Sequence, residues 1–123
     1  MTEHHPDRSE TLAEFKRVVS MTPSALRTWL DSPDSRAVGM TPEGERVTHE
    51  GGAESVGHGM GRRILELHAA KPAELGEDDL AAMRKVIGYV HRHMAQRPAG
   101  DVTGTRWRHS LMNWGHDPLK DAG

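Results

Sequence analysis

The chain has 123 residues, of which 35% are hydrophobic and 28% are charged, so it has material for one buried core and not for two. It contains no cysteine, which excludes disulfide frameworks and thiolate metal sites. A formal net charge of −2 argues against a protein that binds every polyanion, because such binding depends on cations that neutralise phosphates.

The charges are unevenly distributed along the chain. Residues 1–54 carry six basic and ten acidic side chains, whereas residues 55–123 carry ten basic and eight acidic ones. Any basic surface is therefore expected in the carboxy-terminal half. The first ten residues, MTEHHPDRSE, contain neither an apolar run nor a basic start. We therefore expect no signal peptide, no membrane-spanning segment and a cytoplasmic location.

The amino-terminal part predicts a tail followed by two short helices. Residues 1–8 are polar and are expected to form a disordered tail. Thr11 and Glu14 fit a capping box for a first helix, and Thr22-Pro23 is a start signal for a second one. Residues 9–32 thus predict a helical hairpin. The alternative is a helix-turn-helix whose second helix would present Arg27 as its only cation.

Residues 33–54 predict a long mobile loop. This stretch contains Pro42 and four glycines and shows no sustained hydrophobic periodicity. A connection of this length without structure is uncommon in a compact domain and is often functional. The alternative is a small hairpin that turns at residues 42–44.

A third helix is expected to begin after Ser55, and its first turns are rich in glycine. Glycines inside a helix each cost about 1 kcal/mol relative to alanine, so some close approach of backbone should offset them. One explanation is tight packing of another helix over Gly57 and Gly61. The other is an anion site built from helix amides and two neighbouring cations, namely Gly57, Gly59, Gly61, Arg62 and Arg63.

A long central helix is predicted at about residues 78–97. Acidic residues in its first turn suit the positive end of the helix dipole, and apolar residues recur at steps of three and four: Leu80, Met83, Ile87, Val90 and Met94. The opposite face carries Lys85, Tyr89, Arg92 and Gln96. Two cations that alternate with a phenol and an amide suit phosphate and base contacts, although a solvated helix face can have the same composition.

The last predicted helix begins at Thr103 or Thr105 and should end at Gly115 in a left-handed conformation. Its apolar face carries Trp107, Leu111 and Trp114, and its other face carries Arg106, His109 and Asn113. Tryptophans at this spacing more often belong to a core than to a base-stacking platform. Arg106 and Arg108 would extend the basic surface of the central helix.

The sequence shows no metal or catalytic motif. His91 and His93 are two residues apart, so they point to different sides of a helix, whereas a helical zinc pair needs a spacing of four. There is no GxSxG motif and no cysteine nucleophile. We therefore expect no metal, no cofactor and no enzymatic activity.

Four stretches of the chain resemble a known family: MTPSALRTWL, SVGHGMGRRI, DDLAAMRKVIGYVHRHMAQRP and RWRHSLMNWGHDPLK. Over about residues 12–120 the chain is similar to domain-of-unknown-function family 3140, which occurs in bacteria and fungi. The resemblance implies a bacterial protein of unknown function, and some members carry a DNA-binding label. It implies no agreed mechanism or binding residues. Ser20 stands where the family would lead us to expect asparagine, which weakens the case for a polar role at this position.

Together these observations predict an all-α domain at residues 9–120, a bundle of about five helices whose core and basic face lie in residues 55–120. The leading hypothesis is a nonenzymatic nucleic-acid-associated protein, with DNA favoured over RNA and no membrane partner, that acts through Lys85, Tyr89, Arg92, Gln96, Arg106 and Arg108. The alternatives are a protein-interaction or stress-associated module, and a small-molecule or anion binder that uses the segment from Gly57 to Arg63.

Overall fold

The computed structural model describes residues 8–49 and 54–120, and in this part of the chain the fold is all α, as the sequence predicts. In chain order the described residues form α1 (Arg8–Val18), α2 (Pro23–Leu30), α3 (Pro33–Arg36), α4 (Val56–Ala69), a single 3-10 turn (Pro72–Glu74), α5 (Glu77–Met94) and α6 (Arg106–Asn113). Four of these helices each place one residue at the centre of the core with no exposed surface: Leu26, Ile64, Val86 and Leu111. The core is therefore shared by α2, α4, α5 and α6.

Helices α1 and α2 pack on different partners. α1 lies along the central helix α5, whereas α2 packs on α4 and α6. The helices therefore do not form a hairpin packed on itself. α1 also begins at Arg8, so Thr11 lies inside the helix and is 1% exposed. The predicted capping box at Thr11 is wrong, because packing of α1 against α5 extends the helix beyond that local signal. The predicted tail lies outside the described residues except for Arg8.

The start signal of α2 is confirmed. The Thr22 hydroxyl accepts a hydrogen bond from the Ala25 amide at 3.1 Å, and Pro23 occupies the first helical position. The next serine-proline pair, Ser32-Pro33, begins α3 in the same way. The Ser32 hydroxyl accepts from the Ser35 amide at 3.2 Å.

The segment predicted as a mobile loop contains regular structure in its described residues. Besides α3 it forms a tight turn closed by a bridge between Met40 and Arg46, with the Thr41 amide donating to the Glu45 carbonyl at 2.8 Å. Val38 and Val47 flank this turn and are 1% and 4% exposed. The hairpin alternative is therefore correct. Two isolated valines carry no periodicity, which is why the sequence did not favour it; residues 50–53 lie outside the described residues.

Ser55 begins α4 as predicted, with its hydroxyl accepting from the His58 amide at 3.0 Å. Other elements pack closely over two of the glycines that follow, Gly57 and Gly61. A Cβ at Gly57 would lie 2.7 Å from Nε1 of Trp114, and one at Gly61 would lie 2.5 Å from Cδ2 of Leu30. Close packing over Gly57 and Gly61, one of the two explanations offered by the sequence, is thus confirmed.

Helix α6 is capped at both ends. Thr105, not Thr103, accepts from the Arg108 amide at 3.2 Å. Gly115 has a φ of +80°, and its amide donates to the Met112 carbonyl while the His116 amide donates to the Leu111 carbonyl. These two bonds are the Schellman arrangement that closes helices with a left-handed glycine.

The segment after α6 is joined to the segment after α1. Met21 donates its amide to the Gly115 carbonyl at 3.1 Å. The His116 ring donates from Nδ1 to the Val18 carbonyl at 2.6 Å, and the Asp117 amide donates to the Ser20 hydroxyl at 3.1 Å. The family resemblance weakened the case for a polar role at position 20, and the Ser20 hydroxyl nevertheless accepts this bond. A serine hydroxyl accepts this bond without an asparagine amide.

Across residues 8–49 and 54–120, no helix combines the length and the hydrophobicity needed to cross a bilayer.

Candidate functional site

A cleft of about 600 Å³ lies where α5, α6 and the turn at residues 39–46 meet. Four cations line it, Arg46 from the turn, Lys85 and Arg92 from α5, and Arg106 from α6. Among the described residues no aspartate or glutamate lines it. Its remaining lining is mainly apolar and aromatic, with Met40, Val56, Tyr89, His93, Trp107 and Trp114. We call this site the basic cleft.

The charges of the basic cleft are poorly compensated. Arg46, Lys85 and Arg92 are exposed, and within the part of the chain that the structure describes they form no ion pair. Several cations elsewhere are paired, for example Arg63 with Asp79. Arg106 donates from Nη2 to the Val47 carbonyl, a neutral acceptor that fixes the turn to α6 without cancelling the charge. The cleft therefore has a positive potential that attracts anions.

A row of near-parallel rings joins α5 to α6 beside these cations. The ring centroids of Trp114 and Tyr89 are 4.1 Å apart, those of Tyr89 and His93 are 5.2 Å apart, and those of His93 and Trp107 are 5.9 Å apart. Trp107 also donates from Nε1 to the His93 carbonyl at 2.8 Å. Trp107 and Trp114 are 8% and 5% exposed, so the prediction that they are core residues is confirmed.

The environment of Tyr89 differs from the sequence prediction, which placed this residue on the exposed face of the central helix. Its ring is half-buried and stacked on Trp114. Burial raises the pKa of Tyr89 to about 12, although a hydrogen bond with Ser110 and the charge of Arg92 act in the opposite direction. The phenol therefore stays neutral at physiological pH.

The structure brings together four of the six residues predicted for nucleic-acid binding: Lys85, Tyr89, Arg92 and Arg106. Gln96 follows the end of α5 and does not line the cleft. Arg108 donates to both carboxylate oxygens of Asp117, at 3.1 and 3.0 Å, and to the Thr103 carbonyl at 2.9 Å. This arginine holds the end of α6 and has its charge neutralised.

Arg46 and Met40 are two lining residues that the sequence did not suggest for this site. Both lie on the turn inside the segment predicted as a mobile loop, and nothing local indicates that this turn packs beside α5 and α6. The sequence does contain a signal that could have identified three further lining residues, His93, Ser110 and Trp114. His93 is four residues after Tyr89, and the other two follow Trp107 at three and seven residues, which is helical spacing.

The predicted anion site at the start of α4 is not open in the structure. Gly57 and Gly61 face Trp114 and Leu30, and the Glu54 carboxylate lies 3.6 Å from where a Cβ of Gly59 would be. Arg62 is paired with Glu54, and Arg63 with Asp79. These carboxylates neutralise the two arginines and would repel an anion, so the proposed roles of Gly57, Gly59, Gly61, Arg62 and Arg63 in anion binding find no geometric support.

A second cavity of about 670 Å³ lies between α1 and α5. Its lining mixes acids and bases, with Glu10 and Glu14 beside Arg17 and Arg84. This cavity therefore has no clear preference for the charge of a ligand. Within the described residues, no group of three or more histidines and carboxylates is arranged to hold a metal ion.

The family model described as "Protein of unknown function (DUF3140)" matches residues 14–112. The chain belongs to this family. No curated protein and no solved structure matches it. The DUF3140 match includes all four cations of the basic cleft but ends before Trp114, which stacks on Tyr89. Membership in DUF3140 confirms the family resemblance and assigns no activity.

Proposed function

We propose that this DUF3140 protein is a nonenzymatic nucleic-acid-associated protein that binds phosphates in the basic cleft. The observation that carries the proposal is the convergence of Arg46, Lys85, Arg92 and Arg106 on one cleft that has no carboxylate among its described lining residues. In a chain with a net charge of −2, such a concentration of positive charge is local and specific to one surface.

The spacing of the cations suits a chain of phosphates. Lys85 and Arg92 are seven residues apart on α5, which places them about 10 Å apart along the helix axis. Each is therefore able to contact a different phosphate of one strand. Arg46 and Arg106 come from the turn and from α6, so a bound strand would have cations from three elements around it.

The repulsion among the four cations of the basic cleft also favours the binding of a polyanion. Like charges that share a cleft repel one another, and this repulsion lowers the stability of the free protein. A bound phosphate backbone relieves the repulsion and releases its own condensed counterions, which makes the affinity strongly dependent on salt.

The test is a titration of fluorescently labelled DNA, followed by anisotropy at two or more salt concentrations. We expect the double variant Lys85→Ala/Arg92→Ala to bind more weakly across unrelated sequences. The slope of log K against log salt should decrease by up to about two, one for each lost phosphate contact. The free energy of unfolding should stay the same or rise slightly, since the variant removes two repelling charges.

Arg27→Ala is the matched control, because Arg27 is an exposed cation on α2 outside the cleft and tests the helix-turn-helix alternative. Its affinity and salt slope should equal those of the parent. Loss of binding in Arg27→Ala with parental binding in the double variant would instead identify α2 as the binding helix. Absence of DNA and RNA binding by the parent protein at low salt would refute the proposal.

A further inference from the structure

Building on the proposed function, we infer that the basic cleft accepts an unpaired nucleic-acid strand in preference to a duplex. The cleft combines two kinds of surface that a ligand must match together. Four of its lining residues are cations that suit phosphates, and most of the others are apolar or aromatic. An unpaired strand presents both phosphates and bases to such a surface.

Met40 is the first observation that points to a base. Met40 is 55% exposed, and in the described part of the chain it is the more exposed of two exposed large hydrophobic residues. It lies on the lining of the basic cleft together with the half-buried Val56. An exposed, flexible thioether beside four cations is suited to contact with the flat apolar surface of a base.

The size of the cleft is the second observation. A volume of about 600 Å³ lies within the range of about 300–1,000 Å³ that encloses small organic groups. In a duplex the bases remain stacked in the interior of the double helix, and the outer surface of the double helix offers phosphates and sugars. A duplex would therefore contact the cations and leave the apolar lining unused, whereas an unpaired nucleotide offers a phosphate to the cations and a base to the apolar lining.

The aromatic row limits how the base is held. Tyr89 is already stacked on Trp114 and on His93, so a base that enters the cleft should pack first against Met40 and Val56. Contacts of this kind involve the surface of the base and not its hydrogen-bonding groups. We therefore expect little sequence preference, as in other sites that combine apolar stacking with a cationic groove.

The experiment compares a labelled 12-nucleotide DNA single strand with a labelled DNA hairpin whose 12-base-pair stem contains that sequence, by anisotropy at one salt concentration. We expect the single strand to bind about tenfold more tightly or better. Tryptophan fluorescence should change with the single strand and much less with the duplex, since Trp107 and Trp114 line the cleft. Met40→Ser should weaken single-strand binding by about three- to tenfold and leave duplex binding unchanged.

Leu119→Ser is the matched control, because Leu119 is the other exposed large hydrophobic residue, at 37%, and does not line the cleft. Both affinities should remain parental in this variant. Equal affinity for single strand and duplex, or an equal effect of Met40→Ser on both, would overturn this inference and leave phosphate binding in the cleft intact. Competition by a mononucleotide at the same concentration as the oligonucleotide would overturn it in favour of a small-molecule site. Failure of both labelled ligands to bind at low salt would refute this inference and the proposed function together.

Discussion

At the scale of single residues, Asn113 is the polar side chain on which three helices depend. It is 1% exposed. Its Oδ1 accepts from Nε1 of Trp29 at 2.8 Å and from the Ser35 hydroxyl, and its Nδ2 donates to the Ser35 carbonyl at 2.9 Å. These bonds join α6 to α2 and α3 in a buried environment, where a hydrogen bond that loses its partner is costly.

Replacing Asn113 by alanine should therefore destabilise the protein by about 2–4 kcal/mol, since it leaves the Trp29 and Ser35 groups unpaired and opens a small cavity. Urea unfolding followed by circular dichroism measures the change. Gln96→Ala, at an exposed amide, is the control and should change the free energy of unfolding by less than about 0.5 kcal/mol. A similarly small change in Asn113→Ala would show that water replaces these bonds.

The burial of Asn113 was not predictable from its own helix. Helical periodicity assigns position 113 to the side of α6 that carries Arg106 and His109, and that assignment predicts exposure. Trp29 and Ser35 supply its partners, and they lie 84 and 78 residues away in sequence. In contrast, Lys85 and Arg92 were correctly predicted to be exposed, because the apolar stripe of α5 is long enough to define the opposite face.

Among the secondary-structure elements, α4 contains glycines in two different environments. Gly61 is covered by other elements, whereas Gly59 is not. A Cβ at Gly61 would lie 2.5 Å from Leu30 Cδ2 and 2.6 Å from the Asn113 carbonyl oxygen. A Cβ at Gly59 would have its nearest neighbour at 3.6 Å, in the flexible Glu54 side chain. The contact at Gly61 includes backbone, which has little freedom to move.

Opposite effects are expected from the same substitution at these two glycines. Gly59→Ala should raise the free energy of unfolding by about 0.5–1 kcal/mol, since alanine loses less backbone entropy in a helix. Gly61→Ala should lower it by about 1–3 kcal/mol, because the added methyl forces α2 and α6 away from α4. Thermal and urea unfolding of both variants check the prediction, and a stabilised Gly61→Ala would contradict the close packing.

The first residue of a helix was predictable where a local capping residue determines it. It was mispredicted where packing against another helix determines it. The hydroxyl caps Thr22, Ser55 and Thr105 each act within three residues, so the sequence contains them completely. Thr11 gave an equally good local signal, but packing of α1 on α5 extends the helix through it to Arg8. The turn that carries Arg46 was predicted only as an alternative for the same reason, because its position depends on the burial of Val38 and Val47.

At the scale of the whole molecule, three half-buried histidines connect stability to pH. Burial lowers the pKa of His68, His93 and His109 below its usual value of 6.5. The nearby Lys16 lowers the pKa of His68 further, whereas the Trp107 carbonyl partly opposes the decrease at His93. A histidine with a lowered pKa in the folded protein binds its proton more readily in the unfolded chain.

Stability should therefore be greatest above about pH 7 and should fall as the pH drops through 6.5 towards the folded pKa values, because the unfolded chain then takes up more protons. Thermal unfolding between pH 8 and pH 5 at constant ionic strength measures this decrease. His68→Gln should reduce the dependence, since it removes one of the three groups. A Tm that is constant or rises towards pH 5 would contradict the prediction.

The bonds between residues 18–21 and residues 115–117 have a consequence for the synthesis of the chain. Val18, Val19 and Met21 are synthesised before α5 and α6, yet the segment that contacts them follows almost a hundred positions later in the chain. Until then these apolar side chains are open to chaperones and to other nascent chains. A ribosome that stalls after Met112 would release a polypeptide with the whole length of α5 but without Asn113, Trp114 and the Gly115 turn. Such a product should be a target for proteolysis, because it lacks the segment that holds residues 18–21 in place.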